Sequence, residues 1–219
     1  MRKVVIKAGG VFSRNDHAAI GIGSLIIFIA MIISAGVAAS VVMQTMNSMQ
    51  QQALQTSQET IKDISTGLRL THASGYVSND TLSQICFFVK TTAGSDAVDI
   101  SQVRLQISDS NTMPVLLYDN TSFSNTVSSG LFQTLNMSNL SNSEFGLLVI
   151  RDIDNSCTEN NPTINNNDLI AFMVNATACF NGIDPRTTVS GKIVPEQGIS
   201  AMIGFTTPVA YTDTIIDLI

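Results

Sequence analysis

Residues 19–43 read Ala19-Ile-Gly-Ile-Gly-Ser-Leu-Ile-Ile-Phe-Ile-Ala-Met-Ile-Ile-Ser-Ala-Gly-Val-Ala-Ala-Ser-Val-Val-Met43. No Lys, Arg, Asp or Glu occurs between Asp16 and Glu59. About 20 consecutive apolar residues suffice to carry a helix across a bilayer, and this run exceeds that. It is apolar on every side, unlike a helix that packs one stripe on a core. Residues 44–68 extend the helical pattern. They lack Pro, and apolar side chains recur at Val42, Met46, Met49, Ala53, Ile61, Ile64 and Leu68 at spacings that are mostly helical. The expectation is one helix over 19–68, roughly 75 Å long, far more than a membrane span requires. Gly67 and Gly75 are its expected terminators.

Upstream, residues 1–18 carry Arg2, Lys3, Lys7 and Arg14 against Asp16 and end at the small pair Ala18-Ala19. They read as a leader cut between Ala18 and Ala19. An ordinary secretory signal discards its apolar stretch; here the cut would leave it on the mature chain. The basic flank places the N-terminus in the cytoplasm and the remainder outside.

Downstream, the period falls to two. Val103, Leu105 and Ile107 alternate with polar residues, as do Ile199, Ala201, Ile203 and Phe205. Further strand-like runs are 85–90, 113–118, 147–151, 169–180 and 188–194. About seven short strands between Gly/Asn/Ser/Asp loops predict an all-β, immunoglobulin-like sandwich over 76–219, joined to the helix by a linker at 69–75. The class is therefore α+β. The Asn/Ser-rich stretch 111–144 reads as exposed loops with short strands.

The 219 residues have a formal net charge of −6. The leader holds four of the eleven basic and one of the seventeen acidic residues, so the mature chain is at −9. An acidic body argues against nucleic acid as a partner and suits a protein kept soluble outside a cell. No nucleophile–base set is present, so no enzymatic activity and no catalytic cofactor is expected. His72, the one histidine beyond the leader, is read as a linker residue.

Five sequons, at Asn79, Asn120, Asn136, Asn139 and Asn175, are candidate N-linked glycan sites on an exported chain. Asp152-Ile-Asp154-Asn-Ser156 sets oxygens at alternate loop positions, with Glu159 and Asp168 able to add to them. That is a candidate for structural Ca²⁺, which takes six to eight oxygens, against a plain acidic loop. Of three cysteines, Cys157 and Cys179 are candidates for a bridge in an oxidising exterior, with Cys86 buried beside Phe87 and Phe88.

Ala19-Ile-Gly-Ile-Gly-Ser-Leu-Ile26, 93–101, Gly191-Lys-Ile-Val-Pro-Glu-Gln-Gly198 and Phe205-Thr-Thr-Pro208 followed by Tyr211 together resemble the archaellin (archaeal flagellin) family, whose leader and helix are similar to those of type IV pilins. One departure is that Asp16-His17-Ala18 stands where the family has a basic pair and Gly. The resemblance implies a subunit of the extracellular archaeal motility filament, a homopolymer with itself. It also implies a precursor held in the membrane, cut by a prepilin-type peptidase, and built in by a membrane assembly platform with its ATPase. Polymerisation would run through the helix, with Gly21, Ile22, Gly23, Leu25, Ile26, Phe28, Ile29, Ala35, Gly36 and Ala39 at its packing surface. A non-motile pilin or adhesin of the same export type is the alternative, and a permanent membrane anchor is the other fate open to such a helix.

Overall fold

The computed structural model describes residues 16–219, with side chains from Ile20 onward. The leader expected at 1–18 lies outside the described residues except for the backbone of 16–18.

Helix α1 runs unbroken over Asp16–Ser65. The hydroxyls within its apolar stretch bond back to its own carbonyls: Ser24 to Gly21 O at 2.9 Å, Ser40 to Val37 O at 2.8 Å and Thr45 to Val41 O at 2.8 Å. The segment thus meets the requirement of an apolar medium, that polar groups be satisfied internally. The helix ends three residues before the expected Leu68. Thr66 N–H donates to Lys62 O at 2.8 Å, and Gly67 then lies so close to Ile199 that a Cβ would sit 2.9 Å from its carbonyl oxygen. Gly67 is where the chain passes a neighbouring backbone.

The strands are β1 (Leu68–Ser78), β2 (Thr81–Thr91), β3 (Val98–Asp99), β4 (Arg104–Ser108), β5 (Val115–Ser124), β6 (Glu144–Arg151), β7 (Thr163–Ile164), β8 (Leu169–Asn175), β9 (Thr188–Val194), β10 (Ala201–Thr206) and β11 (Ile215–Asp217), with a short helix α2 (Ala176–Phe180) after β8. Nine of them pair in the order β10-β9-β4-β5-β6-β8-β2-β1-β11. The long β5 belongs to both layers: it pairs antiparallel with β4 and, across a register shift between Tyr118 and Phe123, parallel with β6. The layers approach again where Gly67 bridges Ile199. The result is a sandwich with a core of Phe87, Phe145, Phe172, Leu105 and Ile193 among others; the rings of Phe145 and Phe172 lie 4.7 Å apart.

No linker separates helix from sandwich. Residues 69–75 lie inside β1, in register with β2 from Leu68↔Thr91 to Ser78↔Thr81. Gly75 is not a terminator either: a Cβ there would lie 2.3 Å from Leu82 Cδ1, so the glycine allows close packing. His72 accordingly sits in a strand, its Nε2 3.2 Å from Asp217 Oδ1. The run 169–180 is strand only to Asn175, whose side-chain oxygen accepts from Ala178 N–H and starts α2.

The β6–β8–β2 layer is buried on both faces. Ile170, Phe172 and Val174 point into the main core; Ala171, Met173, Cys86 and Leu148 form a second cluster under Phe132, Leu135, Met137 and Leu140. Part of the Asn/Ser-rich stretch therefore serves as a cover, not as free loop.

One glycine tests this packing. A Cβ on Gly191 would meet Gln106 O at 2.2 Å and Ile107 Cα at 3.1 Å. Backbone cannot retreat as a flexible side chain can. Gly191→Ala is expected to destabilise the sandwich by about 1–3 kcal/mol, the usual cost of overpacking. Thermal melting checks this, and an unchanged midpoint would show that the β4–β9 pair tolerates a wider spacing.

Candidate functional sites

The first site is the surface of α1. From Ile20 to Val42 its apolar side chains are exposed, Phe28 at 63 % and Ile32 at 55 %. Gly21, Gly23 and Gly36 have no neighbour within 4 Å of where a Cβ would stand. Leu25, Ile26, Ile29, Ala35 and Ala39 are likewise exposed. A continuous apolar surface of this extent must be covered by lipid or protein, and small residues let helices approach closely.

The second site lies in the loop between β6 and β8. These strands are antiparallel neighbours, with Arg151 opposite Leu169. Their pairing brings Asp152, just past β6, beside Asp168, just before β8. Asp154 is drawn in by Asn165, whose Nδ2 donates to Asp154 Oδ2 at 2.6 Å. Oxygens of the three carboxylates lie within 4.8 Å of one another. Asp152 Oδ2 accepts from Cys157 N–H at 3.0 Å and Asp168 Oδ2 from Asn165 N–H at 2.9 Å. The second oxygen of each, Asp152 Oδ1 and Asp168 Oδ1, is buried without a hydrogen-bond partner. Asp168 is only 1 % exposed. Hydrogen bonds from Ser156, then Asn165, hold the Asp154 carboxyl below the ordinary carboxylate range, against the effect of burial. A buried carboxylate oxygen with no donor is costly; two of these three carboxylates carry one, and a hard divalent cation is what such a cluster of oxygens accepts. Glu159 does not join them: it lines a separate cleft with Tyr118 and Asn120, and its carbonyl accepts from the Tyr118 hydroxyl.

Cys157 and Cys179 do not form the expected bridge; all three cysteines are free thiols. Cys157 is tied to Asp152, just past β6 and beside the start of β8, whereas Cys179 lies in α2 beyond the end of β8. A seven-residue strand separates them, roughly 20 Å of chain, where a disulfide needs Cα atoms within about 7 Å. Burial pushes the Cys86 thiol up to about 12 and Cys179 up to about 11; burial, then the charges of Asp152 and Asp168, push Cys157 up to about 12. Thiols so raised are poor nucleophiles. Chains denatured without reductant should titrate all three thiols; a count of one would restore the bridge.

The sequons divide. Asn79 is exposed at the β1–β2 turn, with φ 56° at Asn79 and 58° at Asp80. Asn120, Asn136 and Asn139 are exposed too. Asn175 is committed: its Nδ2 donates to Met137 O at 2.9 Å and Leu140 O at 3.3 Å, while its oxygen caps α2. The nitrogen a glycan would take already holds the cover over the second core cluster.

The family model described as archaeal-type flagellin matches residues 18–205. Flagellin B2 of Methanocaldococcus jannaschii is 37 % identical over 205 residues, 93 % of this chain and 94 % of that protein. Flagellin B1 of Methanococcus voltae is 35 % identical, covering 94 % and 97 %. Among solved structures, archaeal flagellin FlaB1 of M. jannaschii superposes with a TM-score of 0.64 at 30 % identity, over 70 % of this chain and 96 % of that one. The archaeal flagellum of Methanospirillum hungatei gives 0.62 over 90 % and 98 %; at 16 % identity it speaks for the fold alone.

Proposed function

The chain belongs to the archaeal-type flagellin family, and from that premise we propose how it reaches and holds its place in a filament. It is a structural subunit of the archaeal filament, polymerising with itself outside the cell, and not an enzyme.

The precursor inserts α1 into the membrane, and a prepilin-type peptidase cuts between Ala18 and Ala19. A membrane platform and its ATPase then move the mature chain into the growing filament, where α1 leaves lipid for a bundle of identical helices. Both surroundings are apolar, so the transfer costs little hydrophobic energy; close packing supplies the gain. The observation that supports this most is the helix itself, 50 residues long and exposed along its whole apolar stretch. Filaments sheared from cells and sequenced from the N-terminus should begin at Ala19. Filaments beginning at Met1 would refute the cut.

Two further features complete the reading. Asp152, Asp154 and Asp168 hold a structural calcium ion, supported by the buried oxygens that lack any donor. N-linked glycans occupy sequons among Asn79, Asn120, Asn136 and Asn139, whose side chains are exposed, and not Asn175.

A further inference from the structure

The registers of β5, β4, β9 and β10 set Val115, Gln106, Lys192 and Met202 in one row: Gln106 stands opposite Val115 and Lys192, and Lys192 opposite Met202. Directly opposed residues share a sheet face. Arg104 lies two residues along β4 on the same face, opposite Val194. Their neighbours Leu105, Ile193 and Ile203 are buried on the other face. The outer face is apolar for a surface: Met202 is 75 % exposed, Met113 63 %, Leu117 49 % and Val115 41 %. A groove of about 330 Å³ runs between Met113 and Met202. Strands β4, β9 and β10 contain no carboxylate. Arg104 and Lys192 are exposed and form no ion pair among the described residues. On a mature chain of net charge −9, strands β4, β9 and β10, with two exposed cations and no carboxylate, run against the rest of the surface; the acidic Asp119 and Glu144 lie only at the β5 edge, beyond and opposite Leu117.

The complement lies elsewhere on the same chain. Asp96, Asp99 and Glu196 border a cleft with Lys62 and Thr66 at the end of α1, and Glu59 and Asp63 border the adjoining one. Five carboxylates line these two clefts together with Lys62, whose Nζ lies 4.0 Å from Asp96 Oδ2.

We propose that the outer face of β5–β4–β9–β10 is a docking surface for a second copy of this chain, which seats its acidic rim at Asp96, Asp99 and Glu196 against Arg104 and Lys192. The exposed Met, Val and Leu side chains supply apolar burial, and the charges fix register and reject wrong orientations. Face and rim share no residue. The contact is therefore heterologous, leaving a free face and a free rim at either end, the kind of contact that can repeat along a filament. It rests on the filament reading and gives the sandwiches a bond of their own, separate from that between helices.

The test is made on full-length chains in cells whose unaltered filaments have first been shown to contain this protein; their absence would count against the filament reading and not reach this one. Arg104→Glu with Lys192→Glu, and separately Asp96→Lys with Glu196→Lys, should each lower filament yield about tenfold or more through like-charge contact. All four changes together should restore it, a result that lost folding would not give. Filaments from Lys192→Cys with Asp96→Cys, treated with a bismaleimide, should yield ladders of linked subunits. Normal yield in both reversals, failure of the fourfold variant to recover, or no ladder would each overturn the proposal.

Discussion

Replacing Ser40 with Arg is expected to leave the precursor inserted and cut but to abolish filaments. Ser40 lies near the outer end of the apolar run 19–43, exposed, with its hydroxyl bonded to Val37 O at 2.8 Å. In the membrane an Arg side chain near the surface can snorkel to water. Its penalty there falls well below the roughly 2.5–3.5 kcal/mol of a helix centre. Between packed helices that escape is closed, and an uncompensated buried charge costs on the order of several kcal/mol at every subunit. The variant should accumulate as a membrane-held mature chain. Immunoblotting of membrane and sheared fractions separates the outcomes. Abundant normal filaments would show that this stretch does not line a packed core. Ser40→Ala, which removes only the hydroxyl, should assemble normally.

The helix is the most legible part of the chain because a long uncharged run has few readings. Its lower boundary is not, because Thr71, Ala73, Ser74 and Gly75 carry no alternation; tertiary pairing with β2 makes them strand. The cover at 131–140 is hidden for a related reason. Phe132, Leu135, Met137 and Leu140 are spaced for no regular element and sit among Asn and Ser. One signal does point to them: the near-continuous apolar runs 147–150 and 169–174 read as strands buried on both faces, and such strands need something on each side.

Site residues divide in the same way. Asp152 and Asp154 are close in sequence and legible from their spacing. Asp168 reaches them through the antiparallel pairing of β6 and β8, which no local pattern encodes. A sequon records only the acceptor's neighbours, so Asn175 matches it while its amide is already engaged by residues 35 and 38 positions away. The cysteine pairing fails for the same reason, since compartment and count favour a bridge but only the fold sets the distance.

Removal of divalent cation is the second large effect expected. Three carboxylates with oxygens within 4.8 Å repel one another, and two buried oxygens have no donor to replace a lost ion. An ion bound only to the folded state stabilises by about 4 kcal/mol when its concentration is a thousandfold above Kd. For a chain of this size each kcal/mol moves the melting midpoint by about 2–4 °C. Sheared filaments moved from calcium into chelator should therefore melt roughly 8–16 °C lower, and calcium should restore them. Asp168→Asn keeps an acceptor for Asn165 N–H but removes a charge and a strong ligand. It should melt at nearly the same temperature with and without chelator, while Glu159→Gln, away from the cluster, should respond as the unaltered chain does. An unaltered chain whose midpoint ignores chelator, and which carries no metal by elemental analysis, would leave an acidic loop and no site.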